Sequence, residues 1–565
     1  MTVAQAAPSG SATQTRSSTS SLPDSPSQIP YPTSSSSSSS SSIAGANPNW
    51  VPSDIPKTWK DSFQAWIKKT EAAAAELHLY KRTGYFDGAT LNNAPNEDLD
   101  KALRSVSSSF SSPVSSKAGE EDQRATVGTS VNPLDGKVGS IRLVDIGPSS
   151  SSSSALTASG VGSWLFQRSS PRLVNMVEIG TPRTRQEIQA DHDEEKVVLL
   201  HGYGAGTAFF FQNLASLAAH PQSRLYALDW LGMGRSARVP FHIPHAAQKT
   251  MESRVETTEN FFVGALEDWR KTMGVEKMTL VGHSLGGYLS LAYTLRYPQR
   301  VNRLILVSPA GIGENPNEKA EDTFRSKGNG TVEANKSLPA AGAEEAEINQ
   351  AQQDHVPASE RQAERDAKTM QRRASEAGSN GKDKGSTQKT PDPPRWGSKT
   401  RAVVSWLWEQ NFSPFGIVRG SLFLGPMMTG RYTSRRFGAL PDEDLKALHA
   451  YCHGIFSARG SSEYALAHLL APGAFARWPM VRRIEPITVP TSFIYGEYDW
   501  MDVKGGEACV EKLAKRGNRA ANTFVVPHSG HHVYLDNPKA FDGLVAKLLR
   551  GEADGNSNVS VPSGI

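Results

Sequence analysis

From about residue 139 the apolar positions of this 565-residue chain fall into a repeating order. "GSIRLVDIG" (139–147) and "RLVNMVEIGTP" (172–182) alternate apolar and polar residues, the period of a strand with one wet face. "KVVLLHGYG" (196–204) is instead a short unbroken apolar run stopped by glycine, as a strand buried on both faces reads. "SRLYALDWLGMGRS" (223–236) predicts another strand with a glycine-punctuated exit. In "TENFFVGALEDWRKTMG" (258–274) the period changes, and Phe261, Ala265, Leu266 and Trp269 share a helical spacing. "KMTLVGHS" (277–284) predicts a strand, followed by a helix from Leu285, and "VNRLILVSPAGI" (301–312) predicts a further strand. An irregular helical region covers about 400–485. The strands "VPTSFIYGE" (489–497) and "NTFVVPHSG" (522–530) follow, and a last helix starts after Asn537 as N-cap and Pro538 as first helical residue.

Strands alternating with helices predict an α/β chain, a mostly parallel sheet with helices on both faces. The two leading strands suggest an antiparallel edge. The helical region enters after the sixth main strand and would sit over the strand ends as a cap.

Other segments have little to bury. Residues 1–48 are Ser, Thr, Ala and Pro, closing in nine serines from Ser34 to Ser42, with too little apolar surface to offset the entropy of ordering. The chain divides into this disordered tail, a helical segment at 49–90, and a mostly disordered linker at 91–138. A first core part at 139–313 carries a Ser-rich loop at 148–170. A charged, disordered insertion at 314–398, a helical cap at 399–486, a second core part at 487–552 and a tail at 553–565 complete it. Within 49–90, "KTWKDSFQAWIKKTEAAAAELHLYK" (57–81) predicts one amphipathic helix. Trp59, Phe63, Trp66, Ile67 and Leu77 fall near one stripe, with Lys60, Lys68 and Lys69 elsewhere. Tryptophan beside lysine suits a membrane interface; packing on the core is the competing reading.

Charge narrows the function classes. The formal net charge is only +4, which speaks against a nucleic-acid partner. Cys452 and Cys509 are the only cysteines, so the chain has neither a disulfide framework nor zinc spacing, and a reducing compartment is expected. No apolar run reaches the roughly 18–20 residues of a membrane span. The N-terminus lacks the order of a secretory signal; it is Ser-rich and acid-poor with Arg16, a faint likeness to a mitochondrial transit peptide.

The chemistry centres on "VGHSLGG" (281–287). G-x-S-x-G alone decides nothing in a chain rich in Gly and Ser. Its setting, strand then sharp turn then helix, makes Ser284 a candidate nucleophile, with Gly282 and Gly286 giving the turn room. The N–H of Leu285 then opens a helix and can face a developing oxyanion. The N–H of Tyr203 or Gly204, in the loop "HGYGAG", is the candidate second donor. A serine needs a base. His531, next to Gly530 after the last strand, is chosen over His528 and His532. The acid should follow the preceding strand, where "YGEYDWMD" offers Asp499, with Asp502 as the alternate. His201 and His283 read as structural neighbours, His532 as a pocket or core histidine, and Asp229 as a turn-former.

"VVLLHGYGAG", "LDWLGMGRS", "VGHSLGG", "FIYGEYDWMD" and "SGHHVYLDNP" resemble the α/β-hydrolase superfamily. "RYPQRVNRLILVSPAGI", the cap stretch from "SPFGIVRG" to "GRYTSRRF", and "GHHVYLD" are similar to one lipid-acting subfamily. It comprises the lipid-droplet lipase coactivator, the N-acyl-phosphatidylethanolamine lipase, plant relatives and the fungal cardiolipin-specific deacylase. The coactivator has Asn at the elbow where this chain has Ser284, so the resemblance implies the hydrolytic branch. It also implies a His and an Asp with four residues between them, here His531 and Asp536, and lysophosphatidic acid acyltransferase activity has been ascribed to the subfamily.

The expected function is therefore cleavage of glycerophospholipid acyl esters at a membrane surface. The rivals are acyl transfer to lysophosphatidic acid at the same site and a non-catalytic role regulating a lipase on a lipid surface. No metal or organic cofactor is implied. Arg419, Arg431, Arg435, Arg436 and Arg477 are candidates for a phosphate headgroup, because a guanidinium fork binds two oxygens. Trp59, Phe63 and Trp66 are candidates for membrane contact. The expected setting is intracellular and peripheral, at a mitochondrion or at a cytosolic lipid-droplet surface, and not secreted.

Overall fold

The structure, a computed structural model, describes residues 50–68, 72–87, 89, 126–127, 131–149, 171–183, 185–190, 192–315 and 398–554. The Ser-rich tail, most of the linker, nearly all of the Ser-rich loop and of the 314–398 insertion, and most of the 553–565 tail lie outside these residues.

One nine-stranded sheet organises the rest. Its strands are β1 (Thr126–Val127), β2 (Val138–Asp145), β3 (Leu173–Gly180), β4 (Glu195–Leu200), β5 (Ser223–Leu228), β6 (Met278–His283), β7 (Val301–Val307), β8 (Thr491–Gly496) and β9 (Ala521–Val526). They lie in the order β1-β2-β3-β5-β4-β6-β7-β8-β9. Pairing is antiparallel as far as β5 and parallel from β5 to β9. The antiparallel edge is one strand longer than expected: Thr126–Val127, inside the segment read as linker, pairs with Ser140 and Ile141.

The unbroken apolar runs are strands whose two faces are both covered. Val198, Leu200, Leu280, Leu304 and Leu306 point into one core, beneath helices α3 (Met251–Met273) and α4 (Leu285–Arg296). Val197, Leu199, Val281, Ile305 and Val307 point into the opposite core. The two-residue period of a strand divides one run between two cores.

The alternating strand β3 departs from expectation. All eight of its residues are buried, polar ones included. Asn175 is covered by the buried Glu76, and Glu178 by the buried Arg224, at 3.1 and 2.8 Å. A partner, not water, satisfies this polar face, as burial of such groups requires.

Glu76 belongs to the second of two helices where one was expected: α1 (Trp59–Lys68) and α2 (Ala72–Tyr80). Eight of the nine α2 residues are buried, whereas α1 is mostly exposed. The alanine run explains α2. Its small side chains let it lie against the cap helix α8 (Asp442–Ser457), so closely that a Cβ on Gly454 would come within 2.7 Å of the Cβ of Ala72. The rest of the cap comprises α5 (Ser398–Glu409), α6 (Pro414–Gly420) and α7 (Gly425–Arg436). The chain then returns through β8, α9 (Val503–Lys515), β9, a short turn of helix α10 (Val533–Asp536) and α11 (Pro538–Leu549). Asn537 caps α11 as expected, accepting from the N–H of Ala540 at 3.2 Å.

Strand order reverses at β4, which lies between β5 and β6. Chains leaving β4 and β6 therefore diverge over the carboxyl ends of the sheet, where open α/β sheets leave a crevice. His201 to Gly204 leave β4 there, and Ser284 leaves β6. Helix α4 packs tightly under this point: a Cβ on Gly286 would stand 2.7 Å from the carbonyl oxygen of His201. Gly286→Ala is thus expected to destabilise the fold by about 1–3 kcal/mol, as overpacking does, read as a lower midpoint in urea unfolding.

Candidate active site

The turn after β6 forces an unusual backbone on Ser284, with φ 53° and ψ −116°. Such a conformation persists only where its surroundings over-determine it. Here the N–H of Ser284 donates to the carbonyl of Val307 at 2.9 Å, and its carbonyl accepts from the N–H groups of Tyr288 and Ala310, each at 3.1 Å. Gly282 has no room for a side chain, since a Cβ there would lie 2.5 Å from the carbonyl oxygen of Gly286. The result lifts the hydroxyl above the sheet at the N-terminus of α4, where the helix dipole favours negative charge.

Three distant residues converge on this point. Ser284 Oγ lies 3.1 Å from His531 Nε2, and His531 Nδ1 lies 3.1 Å from Asp499 Oδ1. Asp499 Oδ1 also accepts from the N–H of Met501 at 3.1 Å. A carboxylate only accepts, so Nδ1 carries the ring proton and Nε2 is free to accept from the serine. The Asp499 carboxyl is buried. Burial opposes its charge, but neighbouring His531, its hydrogen bond and the Met501 N–H outweigh that and hold its pKa below the ordinary 3.8. The Ser308 hydroxyl acts in the same direction from outside hydrogen-bond geometry. With the folded value lowered, the stability that Asp499 contributes is in place above about pH 4 and is lost as pH falls through its folded value.

The alternate acid is elsewhere. Asp502 caps helix α9, accepting from the N–H of Lys504 at 3.0 Å. Asp536 does not meet the His531 ring. Its Oδ2 accepts from the N–H of Gly530 at 2.9 Å, and the carboxylate pairs with Arg436 at 3.1 and 3.2 Å. Four residues separate it from His531 in sequence, but the turn into α10 aims it at the peptide ahead of that histidine.

Leu285, Tyr203 and Gly204, the oxyanion candidates, border the same cleft as Ser284 and His531. A Cβ on Gly202 would approach Ser284 Cβ to 3.0 Å, so the β4 loop lies directly on the elbow. His201 shapes that loop: Nδ1 donates to the carbonyl of Gly202 at 2.7 Å, and Nε2 accepts from the N–H of Trp230 at 3.1 Å. Burial lowers its pKa to about 4, which keeps it neutral. Asp229 does more than form a turn. It accepts from the N–H groups of Arg235 at 2.7 Å and Thr207 at 2.8 Å, and from Asn175 at 2.8 Å.

The cleft encloses about 1180 Å3, part of it open to solvent. Trp408, Phe415, Met428, Phe456 and Trp500 form much of its wall. Phe415 stacks on Phe456 at 4.6 Å and leans on Tyr203 at 5.1 Å. Trp500, not singled out in the sequence, sits 4.9 Å from the His531 ring, and only its place beside Asp499 hinted at it.

The arginine candidates are placed differently from expectation. Among the described residues, no arginine lines the cleft. Arg419 forks onto Glu463, Arg477 pairs with Glu409 at 2.6 Å, and Arg436 pairs with Asp536. Arg431 is exposed and Arg435 half-buried. Carboxylates distant in sequence neutralise the first three. The membrane candidates remain outward: Trp59, Phe63 and Trp66 are 58, 42 and 44 % exposed. Helix α1 is fastened to the cap, because Ser62 Oγ donates to the carbonyl of Phe423 at 2.6 Å and accepts from the N–H of Met427 at 3.0 Å. Exposed Leu422 and Ile417 lie along the same part of the cap, and Ile417 also borders the cleft.

Among the described residues, no group of three His, Cys, Asp or Glu side chains could hold a metal ion, and no helix is long and apolar enough to cross a membrane.

Residues 196–538 match the model of the alpha/beta hydrolase fold. The chain is 30% identical to a probable 1-acylglycerol-3-phosphate O-acyltransferase of Oryza sativa subsp. japonica, over 68% of this chain and 75% of that protein. It is 32% identical to a 1-acylglycerol-3-phosphate O-acyltransferase of Arabidopsis thaliana, over 63% of this chain and 66% of that protein. It is also 27% identical to a (Lyso)-N-acylphosphatidylethanolamine lipase of Mus musculus, over 63% and 79%.

Mutation is expected to separate the two carboxylates. Asp499→Asn is expected to lower kcat by on the order of 10³–10⁴-fold, because the histidine loses its orienting charge, and to forfeit the stability the ionised carboxylate contributes above about pH 4. Asp502→Ala is expected to cost about 1 kcal/mol of stability and leave kcat unchanged, since only a helix cap is lost. Steady-state kinetics on a soluble ester and urea melts of both variants check this.

Proposed function

We propose that this chain, which belongs to the α/β-hydrolase fold family and to its lipid-acting branch, is a serine hydrolase cleaving acyl esters of glycerophospholipids at a membrane surface. The observation that carries the reading is the hydrogen-bonded series Ser284–His531–Asp499 at the wall of an apolar cleft.

In this reading Ser284 Oγ attacks the acyl carbonyl carbon while His531 Nε2 takes its proton. The N–H groups of Leu285 and of Tyr203 or Gly204 receive the oxyanion. Asp499 stabilises the imidazolium without itself taking the proton. His531 then gives that proton to the departing glycerol oxygen, leaving an acyl-serine. A water molecule, deprotonated by His531, attacks the acyl-serine; the C–Oγ bond breaks, His531 returns the proton to Ser284 Oγ, and the fatty acid is released. An almost uncharged cleft suits an acyl chain and leaves the phosphate outside, toward the cleft mouth. Exposed Trp59, Phe63 and Trp66, on a helix tied to the cap, support contact of that mouth with a lipid surface.

The relatives named as 1-acylglycerol-3-phosphate O-acyltransferases favour a second reading, in which a lysophosphatidic acid hydroxyl replaces water in the second half. The same residues serve both, so the acceptor decides the product.

A panel of phospholipid vesicles, assayed with and without labelled lysophosphatidic acid, tests both. Wild-type protein is expected to release fatty acid, and Ser284→Ala to lose roughly 10³-fold or more of that rate. Equal release by both proteins would remove the serine mechanism. Ser284-dependent label in phosphatidic acid, in place of free fatty acid, would favour transfer.

A further inference from the structure

We propose that His283 is a positioning residue for the base, its ring N–H holding the backbone carbonyl of His531. This inference rests on the reading of Ser284 and His531 as the working pair.

His283 closes β6 and directly precedes Ser284. Its Nε2 lies 2.9 Å from the carbonyl oxygen of His531. A carbonyl can only accept, so Nε2 is the protonated nitrogen. Nδ1 has no hydrogen-bond partner and is buried, which fits a bare ring nitrogen on a neutral imidazole. Burial, then the nearby His531, holds the pKa of His283 well below the ordinary histidine value. Arg436 and His201 add to this, and the hydrogen bond to the carbonyl opposes it without prevailing. The space is closed as well: a Cβ on Gly202 would come within 2.9 Å of Nδ1. The ring packs 4.8 Å from that of His531, 5.1 Å from His532 and 4.9 Å from Tyr534.

Two consecutive residues of one turn therefore grip the same distant histidine. Ser284 meets its ring, and His283 meets its backbone. On the preceding side Asp536 accepts from the N–H of Gly530 at 2.9 Å. Asp499 orients the imidazole about its own bonds, but it does not fix where the backbone carrying that imidazole sits. The His283 bond does, because its donor shares a peptide with the nucleophile. Without it, a buried carbonyl loses its partner and the base loop can drift from the serine. A displacement near 1 Å at a reacting group costs about 100-fold in rate.

The test uses the full chain, with a fluorophosphonate probe and p-nitrophenyl butyrate. His283→Phe keeps a flat ring and removes the donor; His283→Gln keeps an amide N–H at a similar reach. For His283→Phe, the labelling rate at Ser284 and kcat are expected to fall together by roughly 10- to 100-fold, with KM within about twofold. The acid limb of the kcat/KM profile is expected to stay in place, since a neutral His283 does not titrate there. His283→Gln is expected to recover most of the loss. Wild-type rates in His283→Phe, no recovery in His283→Gln, or a displaced acid limb would each overturn the proposal. If His283→Phe does not fold, as read from its thermal melt, His283→Asn takes its place, because its amide is too short to reach the carbonyl. Probe labelling that persists in Ser284→Ala would end the hydrolase reading itself. Labelling confined to Ser284 but unaffected by His283→Phe would end only this inference.

Discussion

The backbone of Ser284 is the constraint on which the site depends. A serine at φ 53° and ψ −116° costs on the order of 1–3 kcal/mol, and no local interaction of its own supplies that. It is held by the carbonyl of Val307 on the neighbouring strand, by the N–H groups of Tyr288 and Ala310, and by glycines that let α4 press against β4. The pairing of β6 with β7 and the packing of α4 are thus conditions for the hydroxyl to stand where His531 can reach it. The β4 loop, lying on the elbow at Gly202, is positioned by the same close approach.

Charge around this site is consistently spent within the protein. Glu76, Arg235, Asp229, Asn175 and Thr207 form a buried network joining α2 to the loops after β4 and β5. Arg419 and Arg477 neutralise carboxylates of the cap, and Arg436 ties the cap to Asp536 beside the base loop. Removing one partner of the buried Glu76–Arg235 pair leaves the other uncompensated, at a cost of about 3–5 kcal/mol. The same ion pairs leave the cleft walls apolar.

Much of this was legible in residue order. Continuous apolar runs marked β4 to β7, because a strand covered on both faces needs apolar residues at every position. Glycines around Ser284, with an acid and a histidine after the last two strands, marked the three groups that the fold brings within hydrogen-bond reach. Other readings failed for a shared reason. The arginines of the cap looked available for phosphate, yet Glu463 and Glu409 lie 44 and 68 residues away in the chain. The polar positions of β3 looked wet, yet Glu76 of α2 covers Asn175 and Arg224 covers Glu178. Asp502 stood as the alternate to Asp499, and only the start of α9 turned it into a cap.

The amino-acid sequence by itself determined the alternation of elements, the elbow and the serine at its tip, since these follow from local period, turn sterics and residue chemistry. Only the tertiary structure decided which carboxylate meets His531, which arginines are already engaged, and that the His283 ring bonds the backbone of His531. Those outcomes depend on pairs separated by up to 248 residues, and no local pattern records which partner a side chain finds when the chain closes.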